Sequence, residues 1–192
     1  MIKENIKNQI LESVKIKKQI VQNGVAEIEK AAELLIDCVK YGGKIYWCGN
    51  GGSAADAQHL STELMGGMSD HDRMPIPSIA LSTDSSFITA WSNDNDFDSV
   101  FSRQIQGLGK EGDVLIGIST SGNSKNIINA IKQAKYKKLK TITLTGSTGG
   151  KLDGIADITI KIPSENTQRI QESHIMVGQI LCSIIELSIL KK

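Results

Sequence analysis

The stretch KIYWCGNGGSAADAQHLSTEL, Lys44–Leu64, decides how the rest of the chain is interpreted. It begins with a short apolar run of strand type, and the small residues Asn-Gly-Gly-Ser follow directly. The next segment, 53–66, has the composition of a helix and carries His59 and Glu63. A strand that passes through a glycine-rich loop into a helix is part of a βαβ unit, and ligands bind at the carboxyl ends of such strands. The stretch therefore predicts an α/β fold with a site at this loop.

Four further apolar runs follow along the chain, and helical segments separate them. The five predicted strands are 44–49, 77–82, 113–119, 141–146 and 157–163, and the segments between them are 53–66, about 86–106, 124–136 and a short piece near 149–156. Strands that alternate with helices favour right-handed βαβ units and a parallel sheet covered on both faces. We therefore predict a doubly wound, parallel, five-stranded sheet.

Helical periodicity without proline marks both ends of the chain. Residues 3–40 predict two helices joined near Asn23 and Gly24. Residues 165–190 predict a long C-terminal helix with more apolar residues than a helix with one water-facing side would carry. We expect this helix to pack in a subunit interface.

Composition and charge limit the classes of protein to which this chain can belong. The 192 residues suit a single domain, 1–192, and the net charge of +1 indicates neither a nucleic-acid nor a membrane partner. The N-terminus lacks the apolar region of a secretory signal, and no run approaches the roughly 18 apolar residues of a membrane span. Cys38, Cys48 and Cys182 are scattered among apolar residues, which favours buried free thiols. We expect a cytoplasmic protein.

A second polar loop, STSGNS (119–124), follows the third predicted strand and leads straight into a helix. Its hydroxyl groups, its backbone N–H groups and the helix N-terminus suit a phosphate. No lysine lies inside the loop and no GxxxxGK[ST] pattern occurs, which argues against a nucleotide P-loop. The alternative is that serine serves here as an ordinary helix N-cap. Ser119, Thr120, Ser121 and Ser124 together favour the phosphate site.

His59 and Glu63 are four positions apart, so they share one helix face. A histidine and a carboxylate can bind one metal ion, and a carboxylate beside a sugar can move a proton between adjacent carbons. The alternative is a solvated pair without function. The position of the two residues directly after the GNGGS loop (49–53) favours a functional pair.

Further polar positions are open to more than one interpretation. Asn93 and Asp94 suit contacts to sugar hydroxyls, but they equally suit a turn. Gln171, in the stretch RIQESH, can face a ligand or lie on an ordinary polar helix face. His71 lies in a polar loop and is expected to be solvated.

Four segments stand in an order and spacing that resembles the SIS (sugar isomerase) family and, within it, the group of phosphoheptose isomerases. They are GKIYWCGNGGSAADAQH, EGDVLIGISTSGNS, TLTGSTGG and RIQESHI, and the resemblance extends over nearly the whole chain. It implies a flavodoxin-like doubly wound sheet, a homotetramer whose packing uses the N-terminal helical segment 1–41, and active sites between subunits. The implied reaction converts sedoheptulose 7-phosphate to D-glycero-D-manno-heptose 7-phosphate, the first committed step toward heptose for lipopolysaccharide or capsule.

The resemblance also implies roles for individual residues. The implied substrate contacts are Asn50, Gly51, Gly52 and Ser53 along the substrate, Ser119, Thr120, Ser121 and Ser124 at the phosphate, Asn93 and Asp94 at the sugar, and Gln171. Glu63 is implied to be the base that moves a proton between C1 and C2 through an enediol. His59, Glu63 and Gln171 match three positions that bind zinc in this family, so zinc is the expected cofactor.

The chain departs from the family pattern at two places. In the family, the fourth zinc position usually carries a histidine that also serves as acid or base. In this chain the matching residue is Gln179, and we expect it to be the fourth ligand and a catalytic residue. A neutral amide can offer a carbonyl oxygen to a metal but does not titrate near pH 7. Either Glu63 works with another partner, with His174 as a substitute, or catalysis is weakened. The usual arginine after the ELxG segment is Gly67, within a divergent loop 66–77.

Two other functions are open at this point. A relative with the same fold binds the bacterial replication initiator protein as a tetramer and lacks the catalytic residues, but the presence of Glu63 and the intact STSGNS loop favour the enzyme. A SIS enzyme for another sugar phosphate, such as an N-acetylmuramic acid 6-phosphate etherase or a hexulose-phosphate isomerase, fits the RIQE helix and the Asn93-Asp94 pair less well.

Overall fold

Helices and strands alternate along residues 1–190, the part of the chain that the computed structural model describes. The strands are β1 (Ile45–Gly49), β2 (Ser78–Ala80), β3 (Val114–Ser119), β4 (Lys140–Thr145) and β5 (Ile158–Lys161). The helices are α1 (Ile2–Asn23), α2 (Val25–Lys40), α3 (Gly52–Gly66), α4 (Ser85–Asp94), α5 (Val100–Leu108), α6 (Lys125–Tyr136) and α7 (Thr167–Leu190), with short 3-10 turns at Phe97–Ser99 and Gly150–Leu152. Lys191 and Lys192, which belong to the predicted domain 1–192, lie outside the described residues.

The five strands form one parallel sheet in the order β2-β1-β3-β4-β5, which confirms the predicted doubly wound fold. After β1 the chain moves outward to β2 and then returns to the other side of β1 to form β3. This is the flavodoxin-like order, and the reversal between β1 and β3 is the switch point where such sheets bind ligands. The carboxyl ends of the two strands lie side by side there, since Gly49 pairs with Ile118.

Alternate side chains of the strands belong to two separate layers of the core. On β1, Ile45 and Trp47 face a cluster that includes residues of α1, α2, α3 and α7. Tyr46 and Cys48 face a second cluster, formed with α5 and α6. Because both faces of the sheet are covered, β1 and β3 are buried along their whole length rather than at alternate residues. The buried indole N–H of Trp47 donates to Ser78 Oγ at 2.9 Å, so its polar atom is satisfied.

The predicted helical segment 86–106 consists of two helices rather than one. The chain leaves α4 at Asn95, and the Asp96 carboxylate accepts a hydrogen bond from the Ser99 N–H at 2.6 Å before α5 begins. Short polar side chains compete for backbone groups in this way and interrupt helices. At the N-terminus the predicted join is confirmed, because α1 and α2 meet at Gly24.

The C-terminal helix α7 packs largely within its own chain, and the expectation that it also packs in a subunit interface stays a prediction. It lies against α3 and α2, and Val177, Leu181 and Ile185 are fully buried there. Ile184 and Leu187 stay exposed. The high apolar content therefore serves mainly the core, and a part of the helix surface is left for other contacts.

By length and composition α7 is also apolar enough to cross a membrane, contrary to the expectation drawn from the sequence. Within its most apolar window, 44% is buried inside the protein. The helix also carries the buried polar residues His174 and Glu186. The core helix of a soluble protein passes the same test of length and composition, so this is weak support for a membrane span.

Candidate functional site

Two polar loops meet at the switch point between β1 and β3. The GNGGS loop connects β1 to α3, and the STSGNS loop connects β3 to α6. Gly49 lies so close under the start of α3 that a Cβ there would overlap the backbone of Ser53. Gly122 has a φ of +65° and lies directly against the Gly149 backbone. Glycine is the residue that tolerates this conformation and this close approach, so these positions allow the compact polar edge to form.

The residues of the GNGGS loop differ in how far they are exposed to a ligand. The N–H groups of Ser53 and Ala54 turn back to the carbonyl groups of Asn50 and Gly51, both at 3.0 Å. Ser53 is only 4% exposed, whereas Gly51 and Gly52 lie at the surface. The two glycines therefore offer backbone rather than side chain to anything bound over the loop.

A pair of amides ties the two loops together, and the sequence analysis missed one of them. Asn50 Nδ2 donates to Asn126 Oδ1 at 3.0 Å, and Asn126 Nδ2 donates to Asn50 Oδ1 at 2.8 Å. Asn126 lies in the first turn of α6 and is 3% exposed. An asparagine among the apolar residues of a helix is unfavourable without a partner, because a buried amide must be hydrogen-bonded. That pattern, NIINAI at 126–131, is the signal that could have identified it.

The hydroxyl groups of the STSGNS loop are bonded to one another and to their own backbone. The Oγ atoms of Ser119 and Ser124 are 3.0 Å apart, and Ser121 Oγ accepts a hydrogen bond from the Asn123 N–H at 3.1 Å. Ser124 is the N-cap residue of α6, but among the described residues its side chain makes no capping hydrogen bond. Thr120 and Ser121 also line a cavity of about 210 Å³ beside the loops that follow β4 and β5. Several hydroxyl groups beside a helix N-terminus suit an anion better than the N-cap alternative does.

Helices α3 and α7 place a histidine, a carboxylate and an amide within contact distance. His59 Nε2 lies 3.0 Å from Glu63 Oε1 and 3.3 Å from Gln179 Nε2. This ring nitrogen carries at most one proton, so it either donates to Glu63 or accepts from Gln179. The side chains of His59 and Glu63 are 48% and 22% exposed, so a ligand can reach the carboxylate.

Gln171, the other predicted residue of α7, lies beside the start of α3. Its amide is so close to Gly52 that any Cβ at position 52 would overlap it. Gly178 lies against Leu60 in the same way. These glycines allow α3 and α7 to approach closely, which places Gln171 at the GNGGS loop and Gln179 farther along the same pair of helices.

The donor set does not fit a resident zinc ion. Zinc in proteins takes three or four ligands from cysteine, histidine and carboxylate side chains. Within residues 1–190 no group of three such side chains could hold a metal ion. His59 and Glu63 are accompanied by the amides of Gln171 and Gln179, which are weaker ligands. We therefore assign no chemical step to a metal, and the expected zinc stays a prediction.

Asn93 and Asp94 are exposed in the last turn of α4, so they belong to a helix rather than to a turn. Asn93 Nδ2 donates to Asp94 Oδ1 at 2.9 Å. Within residues 1–190 no hydrogen bond joins either side chain to the GNGGS or STSGNS loop. Among the described residues, neither side chain makes a hydrogen bond to a residue of α3 or α7, so their contact with the sugar stays a prediction.

His174 is wrong as a substitute for the missing titratable group. Its side chain is fully buried, and its Nε2 lies 3.2 Å from the carbonyl oxygen of Thr145. Burial lowers the pKa of His174 to about 4, although the hydrogen bond to Thr145 acts in the opposite direction. His71, in contrast, is exposed, as expected.

The cysteines are not candidate nucleophiles. Cys38, Cys48 and Cys182 are buried free thiols, as predicted. Burial raises the pKa of Cys38 and of Cys182 to about 12. The reactive thiolate is therefore scarce at neutral pH.

Comparisons with known proteins identify the family of this chain. The sequence profile of the SIS domain matches residues 10–146. A phosphoheptose isomerase of Sulfurimonas denitrificans is 50% identical over 187 residues, which cover 96% of this chain and 95% of that protein. Another, of Leptospira biflexa, is 48% identical over 182 residues, covering 94% and 93%. The solved structure of the phosphoheptose isomerase of Neisseria gonorrhoeae matches with a TM-score of 0.92 at 42% identity, covering 97% of this chain and 99% of that one. The chain therefore belongs to the SIS domain family, and within it to the group of the phosphoheptose isomerases.

Proposed function

We propose that this chain is an isomerase that converts sedoheptulose 7-phosphate to D-glycero-D-manno-heptose 7-phosphate and so supplies heptose for lipopolysaccharide or capsule. The observation that carries the proposal is the accessible Glu63 carboxylate, 3.0 Å from His59, on the helix that starts at the polar switch point. The similarity to phosphoheptose isomerases over nearly the whole chain supports this choice of substrate.

The phosphate end of the substrate is assigned to the STSGNS loop. The hydroxyl groups assigned to it are those of Ser119, Thr120, Ser121 and Ser124. The partial positive charge at the N-terminus of α6 adds to their effect. Asn50, Gly51, Gly52 and Ser53 line the neighbouring part of the substrate. A fixed phosphate holds the far end of the sugar near the reacting group, which removes much of the entropic cost of the reaction.

The proton transfer is assigned to Glu63. Its carboxylate takes a proton from C1 of the ketose while the oxygen on C2 gains a proton, which leaves an enediol. Loss of the proton from the oxygen on C1 and return of a proton to C2 then give the aldose, so atoms balance and the carboxylate is regenerated. The hydrogen bond from His59 to Glu63 would hold the carboxylate in place.

The remaining polar side chains are proposed to contact the substrate without transferring a proton. Gln179 does not titrate near neutral pH, and His59 Nε2 already donates to Glu63, so the catalytic contribution proposed for Gln179 is a hydrogen bond to the sugar rather than a proton. Gln171, beside the GNGGS loop, is assigned to the substrate as well. Asn93 and Asp94 are proposed to contact the sugar, and their exposure leaves them free to do so.

We further propose that the protein is a cytoplasmic homotetramer. Helix α1 exposes Ile2, Ile6, Ile10 and Leu11. A cavity of about 560 Å³, lined mostly by apolar side chains of α1, α2 and α7, opens beside it. Other copies of the chain would cover this surface, and light scattering of the purified protein decides the number of copies. Three buried free thiols support a reducing compartment.

The proposal is tested by an NMR time course of the purified protein with sedoheptulose 7-phosphate in D₂O. We expect an aldoheptose phosphate to appear with deuterium at C2, because the proton passes through a group that exchanges with solvent. Glu63→Gln should abolish turnover and leave the protein folded. Retained turnover in this variant would refute the assignment of the base. A folded wild-type protein without turnover, with or without added zinc, would refute the enzyme and support the alternative that binds the replication initiator protein.

A further inference from the structure

Near the end of α7, the buried carboxylate of Glu186 holds the loop that follows α3. It accepts hydrogen bonds from the backbone N–H groups of Met68, Ser69 and Asp70 at 2.8, 2.7 and 3.3 Å. The residue is 2% exposed. Burial alone would raise the pKa of Glu186, but these donors and a neighbouring arginine lower it to about 2. The carboxylate is therefore charged at every physiological pH.

The neighbouring arginine, Arg73, connects this carboxylate to α3. Its Nε donates to Glu186 Oε2 at 2.6 Å, and its side chain is 3% exposed. Its Nη2 donates to the backbone carbonyl oxygen of Glu63 at 2.8 Å. Its Nη1 donates to the carbonyl oxygen of Met74 at 3.0 Å. The Arg73 guanidinium thus connects α7, the loop that follows α3 and the backbone of Glu63, the proposed base.

The bond to Glu63 acts where α3 is weakest. The last four carbonyl groups of a helix lack partners within it, and the final turn frays readily. Here the helix ends at Gly66, and Gly67 follows with a φ of +98°. The Gly67 N–H reaches the Glu63 carbonyl at 3.2 Å, and Arg73 supplies a second donor to the same oxygen. The arginine therefore fixes the backbone from which the Glu63 side chain extends toward His59.

We propose that Arg73 and Glu186 are positioning residues for the isomerisation, which hold the last turn of α3 so that the Glu63 carboxylate stays in contact with His59. The role rests on the proposed function of Glu63. A shift of about 1 Å in a reacting group can lower a rate roughly 100-fold. Loss of the ion pair therefore lowers kcat, while KM, which depends on the distant STSGNS loop, changes little.

The matched control is another buried carboxylate that accepts backbone N–H groups. Asp113 is 4% exposed, and its two oxygens accept from the N–H groups of Lys44 and Lys110 at 2.8 and 2.9 Å. It directly precedes β3, so it lies at the amino edge of the sheet, opposite the site. Asp113→Asn therefore reports what the loss of such a carboxylate does to stability alone.

The experiment compares kcat, KM and melting temperature for Glu186→Gln, Arg73→Lys and Asp113→Asn with sedoheptulose 7-phosphate. We expect Glu186→Gln to lower kcat by roughly 10- to 100-fold with KM changed less than about twofold. Asp113→Asn should lower the melting temperature but keep kcat. Arg73→Lys retains the charge but lacks the planar fork that reaches two partners. We expect Arg73→Lys to fold and to have a lower kcat than the wild type. This variant therefore tests the positioning role even if Glu186→Gln does not fold.

Hydrogen exchange gives a second measurement on the same variants. The amide of Gly67 should exchange faster in Arg73→Lys than in the wild type, and it should be unchanged in Asp113→Asn. If both variants of the pair keep the wild-type kcat while the wild type is active, the positioning role is refuted and the proposed function stands. A wild-type protein without turnover refutes the proposed function together with this role.

Discussion

His174 makes the stability of this protein depend on pH in a window where few other side chains titrate. Its ring is fully buried beneath the carboxyl end of β4, where Nε2 faces the Thr145 carbonyl oxygen. Among the described residues its Nδ1 has no hydrogen-bond partner. Burial lowers the pKa of His174 from 6.5 to about 4. The folded protein therefore keeps the ring neutral under conditions in which the unfolded chain protonates it.

The sign and the size of the effect follow from linkage. Between pH 6.5 and pH 4 the unfolded state binds more protons than the folded state, so the free energy of unfolding falls as the pH falls through this range. At pH 5 the loss due to His174 is about 2 kcal/mol relative to neutral pH, at about 1.4 kcal/mol per pH unit. Glu186 affects stability at lower pH than His174 does. Its pKa falls from 4.5 to about 2 on folding, so its contribution to the free energy of unfolding is present above pH 4.5 and is lost toward pH 2.

The test is His174→Gln, because the glutamine amide can still donate to the Thr145 carbonyl but does not titrate. Urea unfolding at pH 7 and at pH 5, at one fixed protein concentration, should show that the variant loses about 2 kcal/mol less than the wild type over this interval. His71→Gln, at the exposed histidine, serves as the control and should behave like the wild type. An unchanged loss in His174→Gln would refute the reasoning. Turnover should persist in this variant, since the buried ring does not reach the substrate.

Three further predictions concern the polar edge of the sheet. Ser121→Ala should raise KM about tenfold and leave kcat nearly unchanged in steady-state kinetics, because it removes a phosphate contact worth about 1.4 kcal/mol; an unchanged KM would contradict the assignment. Gln179→His should raise the zinc that metal analysis finds after dialysis, because an imidazole then faces His59; equal zinc in both proteins would contradict the interpretation of the donor set. Asn126→Ala should lower the free energy of unfolding by about 1–3 kcal/mol and raise KM, since it leaves the Asn50 amide unpaired; urea unfolding and kinetics check both, and an unaltered protein would show that the amide pair is dispensable.

From the residue patterns alone, the site was predictable only where its residues are close along the chain. Gln171 and Gln179, which lie far from His59 in the sequence, were predicted only through the resemblance to the family. His59 and Glu63 share a helix face because of the helical repeat, and the hydroxyl groups of the STSGNS loop are neighbours in sequence. Asn126 was missed because its partner lies 76 positions away. Arg73 and Glu186, 113 positions apart, were missed for the same reason. Such pairs leave no periodic signal, and a lone arginine or glutamate in a sequence normally indicates a solvated side chain.

The sequence by itself determined the alternation of strands and helices, the parallel sheet and the family, because apolar periodicity and local motifs depend on residues within a few positions of one another. The tertiary structure decided how the elements meet. It placed β1 beside β3, so that the two polar loops form one edge, and it buried one part of the apolar surface of α7 against α3 while leaving Leu187 exposed. It also enclosed His174, which a sequence reader would take for a titratable group near neutral pH. Burial and the pairing of distant side chains arise only when the whole chain packs, and for that reason they could not be predicted from the sequence.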